Sequence, residues 1–275
     1  MVIPALDEQA AIGEVVAGLA SVGSWREILV IDDGSTDETA ARAEAAGARV
    51  IRHPYRKGNG AAVKTGIRAA QGEAVLLIDA DGQHDPGEAR KLLDGMESHD
   101  MVIGARAARD QPWLRALGNA IFKALAGWLT GLPIADLTSG FRVARRPLLM
   151  DIVHLLPNGF SYPTTSCLAF LKAGYNVAFV PIKARPRKGR SKIRPLRDGV
   201  NFMLIILKIV TLYSPLKIFF PVSVGSLALG VAYGLWNVNA FGKIPTGAAL
   251  LIQLSVVVFL VGLISEQIAS SQERK

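Results

Sequence analysis

The chain has 275 residues, is half hydrophobic and carries a formal charge of +8. Its single cysteine, Cys167, excludes an internal disulfide and fits a reducing compartment. The apolar residues are unevenly spread. Residues 1–199 read as a mixed, soluble-type sequence, whereas residues 216–268 are almost free of charge, so a globular front is followed by a membrane-compatible tail.

In chain order, Val2-Ile3-Pro4 reads as a first strand. It is short for a buried central strand, so the natural start is expected a few residues upstream, and no cleavable signal is visible. Ile12, Val15, Val16 and Leu19 form a helical stripe. Glu27 to Ile31 is a β-rich run that ends in Asp32-Asp33-Gly34-Ser35. A helix should follow, with Ser35 and Glu38 in capping-box spacing and Gly47 as its stop. Arg49 to Arg52 reads as the next strand, and Lys64 to Ala70 lies on a helix ending near Gly72. Ala74 to Ile78 is a continuous apolar strand ending in Asp79-Ala80-Asp81. Asp85 caps a helix with Pro86 at its first position, and Met101 to Gly104 is a further strand. This alternation predicts an α/β fold, a mostly parallel sheet covered by helices on both faces. Ligands of such sheets bind beyond the carboxyl ends of the strands, where both acidic motifs and Glu8 fall.

Residues 198–214 carry apolar positions over much of a helix, punctuated by Asp198, Asn201 and Lys208. An amphipathic helix in the headgroup layer fits this pattern, as does a docking helix of the globular domain. Leu216 to Val238 and Thr246 to Ile268, the latter with Gln253 and Glu266 as polar exceptions, can each cross a hydrocarbon core of about 30 Å. The short connection Asn239 to Pro245 makes them a transmembrane hairpin. Lys183, Arg185, Arg187, Lys188, Arg190, Lys192, Arg194 and Arg197 precede it, and Arg274 and Lys275 close the chain. Positive charge marks the cytoplasmic side, so the globular domain and both termini are expected in the cytosol, on the cytoplasmic membrane. Gly230 and Gly234 form a small-xxx-small pair suited to packing the hairpin's helices together. The predicted organisation is a globular domain over 1–197, an interfacial helix over 198–214 and the hairpin over 215–275.

Two carboxylates as close as Asp79 and Asp81 repel unless a cation or hydrogen-bond donors compensate. Hard oxygen ligands select Mg²⁺ or Mn²⁺, which bind one or two carboxylates together with substrate phosphates. The pair therefore suggests a bridge to a diphosphate, with Gln83 close enough to help. Asp32 and Asp33 could accept hydrogen bonds from a nucleobase or ribose, or serve only as turn residues. Lys57-Gly58-Asn59-Gly60 suits a backbone approach to phosphates but lacks P-loop spacing.

Together these motifs resemble the family 2 glycosyltransferases with a GT-A fold. The matching residues are Val2-Ile3-Pro4-Ala5-Leu6-Asp7-Glu8, Ile31-Asp32-Asp33-Gly34-Ser35-Thr36-Asp37, Lys57-Gly58-Asn59-Gly60 and Asp79-Ala80-Asp81-Gly82-Gln83. Ile103-Gly104-Ala105-Arg106, Asp136-Leu137-Thr138-Ser139-Gly140-Phe141-Arg142 and the basic Arg187 to Lys192 are similar to the polyprenyl-phosphate glycosyltransferases, the group that includes dolichol-phosphate mannose synthases. The resemblance implies inverting, metal-dependent transfer of one sugar from a GDP- or UDP-linked donor to undecaprenyl or dolichyl phosphate. It implies that Pro4, Leu6 and Glu8 border the nucleotide, that Asp32 and Asp33 hold base or ribose, and that Lys57 lies by the donor. Asp79, Ala80, Asp81 and Gln83 would carry Mg²⁺ or Mn²⁺ and the diphosphate. Ser139, Arg142, Arg187 and Lys192 would surround the donor and acceptor phosphates, and Arg106 would support them. Asp79, Asp81, Ser139 and Arg142 are the catalytic candidates. Membrane lipids are expected partners and nucleic acid is not; a homo-oligomer is left open.

Two departures from the family pattern stand out. Asp7 replaces the usual Asn before the glutamate. Pro163-Thr164-Thr165 follows Gly159 to Tyr162 where many relatives carry an acid. A phosphate monoester is largely a dianion at pH 7 and needs no general base, whereas a hydroxyl acceptor does. The missing acid therefore favours a phosphate acceptor. A family 2 enzyme acting on a saccharide or lipid hydroxyl and a non-catalytic membrane lipid-binding subunit are the alternatives.

Overall fold

The structure, a computed structural model, describes residues 1–23, 25–106, 124, 127–128, 131, 134–159, 161–183 and 215–272. The chain divides into two compact units, Met1–Met203 and Leu204–Lys275. The expected interfacial helix over 198–214 lies outside the described residues.

The first unit is built on a seven-stranded sheet: β1 (Val2–Ala5), β2 (Leu29–Asp32), β3 (Arg49–Arg52), β4 (Ala74–Leu77), β5 (Met101–Arg106), β6 (Arg142–Arg145) and β7 (Val177–Ile182). Their spatial order is β3-β2-β1-β4-β6-β5-β7. All pairs are parallel except those made by β6, which runs antiparallel to β4 and β5. Among the described residues the α-helices of this unit are α1 (Ile12–Val22), α2 (Thr39–Ala45), α3 (Asn59–Ala69), α4 (Ala89–Asp94), α5 (Arg146–Ile152) and α6 (Tyr162–Lys172). β1 and β2 are buried at every position and show no polar alternation, as expected for parallel strands covered on both faces. The stripe Ile12, Val15, Val16 and Leu19 is buried in the main core with Ile3, Val30, Leu76 and Phe141. Each such side chain contributes about 1.5–3 kcal/mol of burial.

The sheet opens between β1 and β4. Along β1 the carbonyls of Met1 and Ala5 face β2, accepting from Leu29 and Asp33, and that of Val2 faces β4, accepting from Ile78. Pro4 shares the β4-facing side but has no N–H to donate. β1 and β4 pair only at Val2↔Leu77, and beyond that point nothing continues the ladder. The order of connections also reverses at β1 and β4, the switch point at which open α/β sheets bind ligands.

The capping box expected at Ser35 and Glu38 does not form. α2 begins at Thr39, and its N-cap Glu38 makes no side-chain cap bond. The Ser35 hydroxyl instead accepts the Asp7 N–H at 2.9 Å, and Asp37 accepts the Thr39 N–H at 3.0 Å. The tie across two strand ends wins over the local cap. Asp85 does cap, but it caps the short 3-10 turn Pro86–Glu88 that leads into α4: its carboxylate accepts the Gly87 N–H at 3.0 Å with Pro86 in the first turn.

The second unit is a helical hairpin, α7 (Leu216–Phe241) and α8 (Thr246–Gln272), each a few residues longer than expected. Both are long and apolar enough to cross a membrane. Gly230 lets α8 approach, since a Cβ there would lie 3.0 Å from Leu251 and Ile252 side-chain atoms; Gly262 does the same against Phe219 at 2.7 Å. Small residues at these positions permit close helix contact. The Ser223 hydroxyl donates to the Ser255 carbonyl at 2.8 Å. Glu266 accepts the Leu216 N–H at 3.1 Å, capping the start of α7. Tyr233, Trp236 and Phe241 cluster toward the turn, like an interfacial aromatic belt.

Candidate active site

Because β1, β2, β3, β4, β5 and β7 are co-directional, their carboxyl ends share one edge of the sheet. β6 contributes its amino end there, pairing Arg142 with Leu77 and Ile103. The loops carrying Leu6 and Glu8, Asp32, Lys57, Asp79 and Asp81, Ser139, and Arg106 therefore converge.

The first two loops are knitted together. Asp7 adopts φ 49°, a left-handed conformation that Asn and Asp tolerate better than most residues. Its carboxylate accepts the Thr36 N–H at 2.9 Å and the Thr36 hydroxyl at 3.2 Å, so Asp serves where relatives use Asn. The Glu8 N–H donates to Thr39 Oγ1 at 2.8 Å, and Glu8 O accepts from Ala11 and Ile12 to start α1. Asp32 is fully buried; its Oδ1 accepts the Ser35 N–H at 2.8 Å. Its Oδ2 lies 3.2 Å from Arg52 Nε, off the hydrogen-bonding line, and keeps acceptor capacity.

Asp33 behaves differently from the expectation of a nucleotide ligand. Its carboxylate accepts the N–H groups of Lys57 at 2.9 Å and Gly58 at 2.7 Å, and pairs with His53 Nδ1 at 2.8 Å. It is a clamp on the loop after β3. The Lys57 side chain is exposed, with Nζ 5.6 Å from the Tyr55 ring. The glycines of this loop are not turned to a phosphate either. A Cβ on Gly58 would collide with the Asn158 carbonyl, and one on Gly60 with that of Pro157. The N–H groups of Gly60 and Ala61 donate to Gly159 and Asn158 carbonyls at 3.1 and 3.2 Å. The close backbone approach is between two protein segments, and Lys64 reinforces it by donating to the Leu156 carbonyl and to Asn158.

Asp79, Ala80 and Asp81 follow β4. Asp79 is about one-third exposed, and Ala80 is buried. Asp81 Oδ1 accepts the Gln83 N–H at 3.1 Å across Gly82, whose φ is 71°. Gly140 abuts Asp79 so closely that a Cβ there would overlap the carboxylate. His84 is 3% exposed, with Nε2 4.0 Å from Asp79 Oδ2. Burial, aided by Arg106 and opposed by Asp136, pushes its pKa down to about 3, so the ring is neutral. Among the described residues no group of three or more His, Cys, Asp or Glu gathers in metal-binding geometry. Two adjacent, partly exposed carboxylates still fit Mg²⁺ or Mn²⁺, which take their remaining ligands from water and phosphate oxygens.

Ser139 and Arg142 lie beneath this loop and are both fully buried. The Arg142 guanidinium donates to the Ser139 carbonyl, to Pro163 O at 2.6 Å and to Ser166 Oγ at 2.8 Å. It braces the turn that delivers Gly140 to Asp79 and does not present itself to a phosphate, because the antiparallel β6 places it between two other strands. Burial pulls its pKa below the ordinary value, with Tyr162, Cys167, Asp136 and Asp79 opposing. Arg106 pairs with Asp136 at 3.0 Å and donates to Thr138 Oγ1 at 2.7 Å, holding the same turn from the end of β5. Burial raises the Asp136 pKa, but Arg106 and the N–H donors outweigh it and leave the carboxyl below its usual range. Arg187 and Lys192 lie outside the described residues. Sequence reasoning missed His53, His84, the segment 157–159 and Tyr162, whose buried hydroxyl has no hydrogen-bond partner. Of these only His84, next to Gln83, carried a positional signal.

Comparison with known proteins agrees with this geometry. The glycosyl transferase family 2 profile matches residues 1–153, and the GtrB C-terminal hairpin profile matches residues 214–271. The chain is 34% identical over 213 residues to a dolichyl-phosphate hexose transferase of Haloferax volcanii, covering 76% of this chain and 92% of that protein. It is 30% identical over 211 residues to a polyprenol monophosphomannose synthase of Mycolicibacterium smegmatis, covering 70% and 80%. In fold it is similar to the crystal structure of glucosyl-3-phosphoglycerate synthase from Mycobacterium tuberculosis in complex with Mn²⁺, uridine diphosphate and glucosyl-3-phosphoglycerate. The TM-score is 0.62 and the identity 24%, covering 76% of this chain and 78% of that one. With its GT-A-like sheet and C-terminal hairpin, the chain belongs to glycosyl transferase family 2.

Proposed function

We propose that this enzyme transfers one sugar from a nucleotide diphosphate sugar to a polyprenyl phosphate at the cytoplasmic face of a membrane. The observation that carries the reading is the placement of Asp79 and Asp81 at the β1/β4 switch point, on the same edge of the sheet as Asp32 at the end of β2, in a chain that also carries an apolar hairpin. The names of its relatives, a dolichyl-phosphate hexose transferase and a polyprenol monophosphomannose synthase, support the acceptor class.

Asp32 Oδ2 would accept from the nucleobase or ribose, with Pro4, Leu6 and Glu8 bordering the nucleotide. Asp79 and Asp81, with Gln83 beside them, would hold Mg²⁺ or Mn²⁺ against the donor diphosphate. When bound, the cation neutralises the charge that develops on the departing diphosphate. Ser139, Arg142 and Arg106 act from beneath by fixing the 136–140 turn against Asp79. Arg187 and Lys192 are assigned to the acceptor phosphate, in the basic segment before the hairpin, whose charge supports a cytosolic side for the domain and both termini.

The first turn of α6 holds no acid. Thr164 and Thr165 hydroxyls donate to the carbonyls of Leu137 and Ser161 at 3.2 and 3.1 Å, so neither serves as a base. A phosphate dianion needs positioning and charge neutralisation rather than deprotonation. Its oxygen attacks the anomeric carbon as the bond to the diphosphate breaks, with inversion.

The test is a transfer assay on detergent-purified protein with a panel of UDP- and GDP-sugars, undecaprenyl or dolichyl phosphate, and Mg²⁺, Mn²⁺ or EDTA. A metal-dependent, mild-acid-labile glycolipid is expected, and Asp81→Ala should abolish it while membrane insertion stays intact. Substantial turnover by Asp81→Ala would sink the metal role. Transfer only to hydroxyl acceptors would sink the acceptor assignment.

A further inference from the structure

We infer that His84 is a positioning residue for Asp79, its imidazole donating Nε2–H to the Asp79 carboxylate when that carboxylate holds a divalent cation. This rests on the reading of Asp79 as a metal ligand. The ring is 3% exposed, and its Nε2 is 4.0 Å from Asp79 Oδ2. That gap is longer than a hydrogen bond, so the inferred contact requires the carboxylate to turn toward the ring when it takes up the cation.

Two observations separate this from simple packing. First, Nδ1 is buried with no hydrogen-bond partner. Burying an imidazole this way costs free energy that a hydrocarbon ring of similar size would avoid, so hydrophobic filling alone does not explain a histidine here. Second, the ring is fixed from the other direction. It packs on Phe141, centroids 5.3 Å apart at 34°, and Phe141 lies in the segment that brings Gly140 against the same Oδ2. Two parts of the chain thus address one carboxylate oxygen. A ring N–H in this place can orient a metal-binding carboxylate.

The experiment uses the full chain in detergent. Mn²⁺ is titrated in the presence of UDP or GDP, and free Mn²⁺ is read by its EPR signal. His84→Phe should weaken Mn²⁺ binding by about 10- to 100-fold while the melting temperature of the metal-free protein is kept. His84→Gln, which carries an N–H donor to a similar position, should restore most of the affinity. If His84→Phe does not fold, His84→Leu takes its place in the comparison. Pulsed EPR on the wild-type complex should show no nitrogen coupling from a directly bound ring. Wild-type affinity in the Phe or Leu variant overturns the inference, as does a directly coordinated imidazole nitrogen. Failure of the wild type itself to bind Mn²⁺ with either nucleotide overturns the metal reading and this inference with it.

Discussion

Gly140→Ala offers a sharp test of how the site is assembled. A Cβ at this position would lie 2.7 Å from Asp79 Cγ and 2.8 Å from Oδ1, and closer still to Oδ2. Carbon atoms rest about 3.5–4.0 Å apart, so the carboxylate must retreat by about 1 Å. A displacement of about 1 Å at a reacting centre costs about 10²-fold in rate, or about 2.7 kcal/mol of barrier. The backbone itself accepts alanine, because Gly140 is not among the residues with positive φ. Transfer should therefore fall about 100-fold, with a matching loss of Mn²⁺ affinity, while the melting temperature moves by less than about 4 °C. Steady-state transfer kinetics, Mn²⁺ titration and thermal melts of the same preparation read all three. Near-wild-type transfer would refute the claim that this glycine sets the position of Asp79. A large drop in melting temperature would show that the turn is structural before it is catalytic.

Other predictions follow from the neighbouring loops. Asp7→Ala loses both the tolerance of φ 49° and the bonds to Thr36; it should destabilise the protein by about 1–3 kcal/mol, whereas Asp7→Asn, which keeps an acceptor and suits that φ, should stay within about 0.5 kcal/mol in denaturant melts. The Asp136 carboxyl sits below its usual range in the folded protein. Its contribution to stability is therefore present above the unfolded carboxyl pKa and is lost as pH falls through the folded value. Asp136→Asn should flatten the acid side of a melting temperature against pH curve, and an unchanged acid slope would remove Asp136 from that role.

Much of the first unit was legible in the sequence for local reasons. The stripe Ile12 to Leu19, the continuous apolar run before Asp79 and the Asp85-Pro86 start each report a single element, and each is where the pattern put it. The hairpin was legible because a long charge-free run has few soluble fates. The capping box failed because the hydroxyl of Ser35 had a better partner, Asp7, 28 residues away. The glycines at 58 and 60 were misread for the same kind of reason. Their need for close approach was real, but the approaching group is the 157–159 backbone, and spacing along a chain does not reveal what comes near it in space.

The acidic motifs divide along the same line. Sequence alone placed Asp32, Asp33, Asp79 and Asp81 at strand ends, because each follows an apolar run that can only be a buried strand. Tertiary structure then separated them: Asp33 turns inward to clamp the loop after β3, and Asp32 keeps an acceptor. It also set Arg142 beneath the site, since nothing in four residues of β6 announces an antiparallel strand inserted between β4 and β5. The sequence by itself determined the family, most elements of the first hundred residues and the apolar hairpin, because these rest on periodicity and on motifs read within short windows. Only the tertiary structure decided which of these side chains brace the loops, because strand direction and long-range hydrogen bonding assign that role.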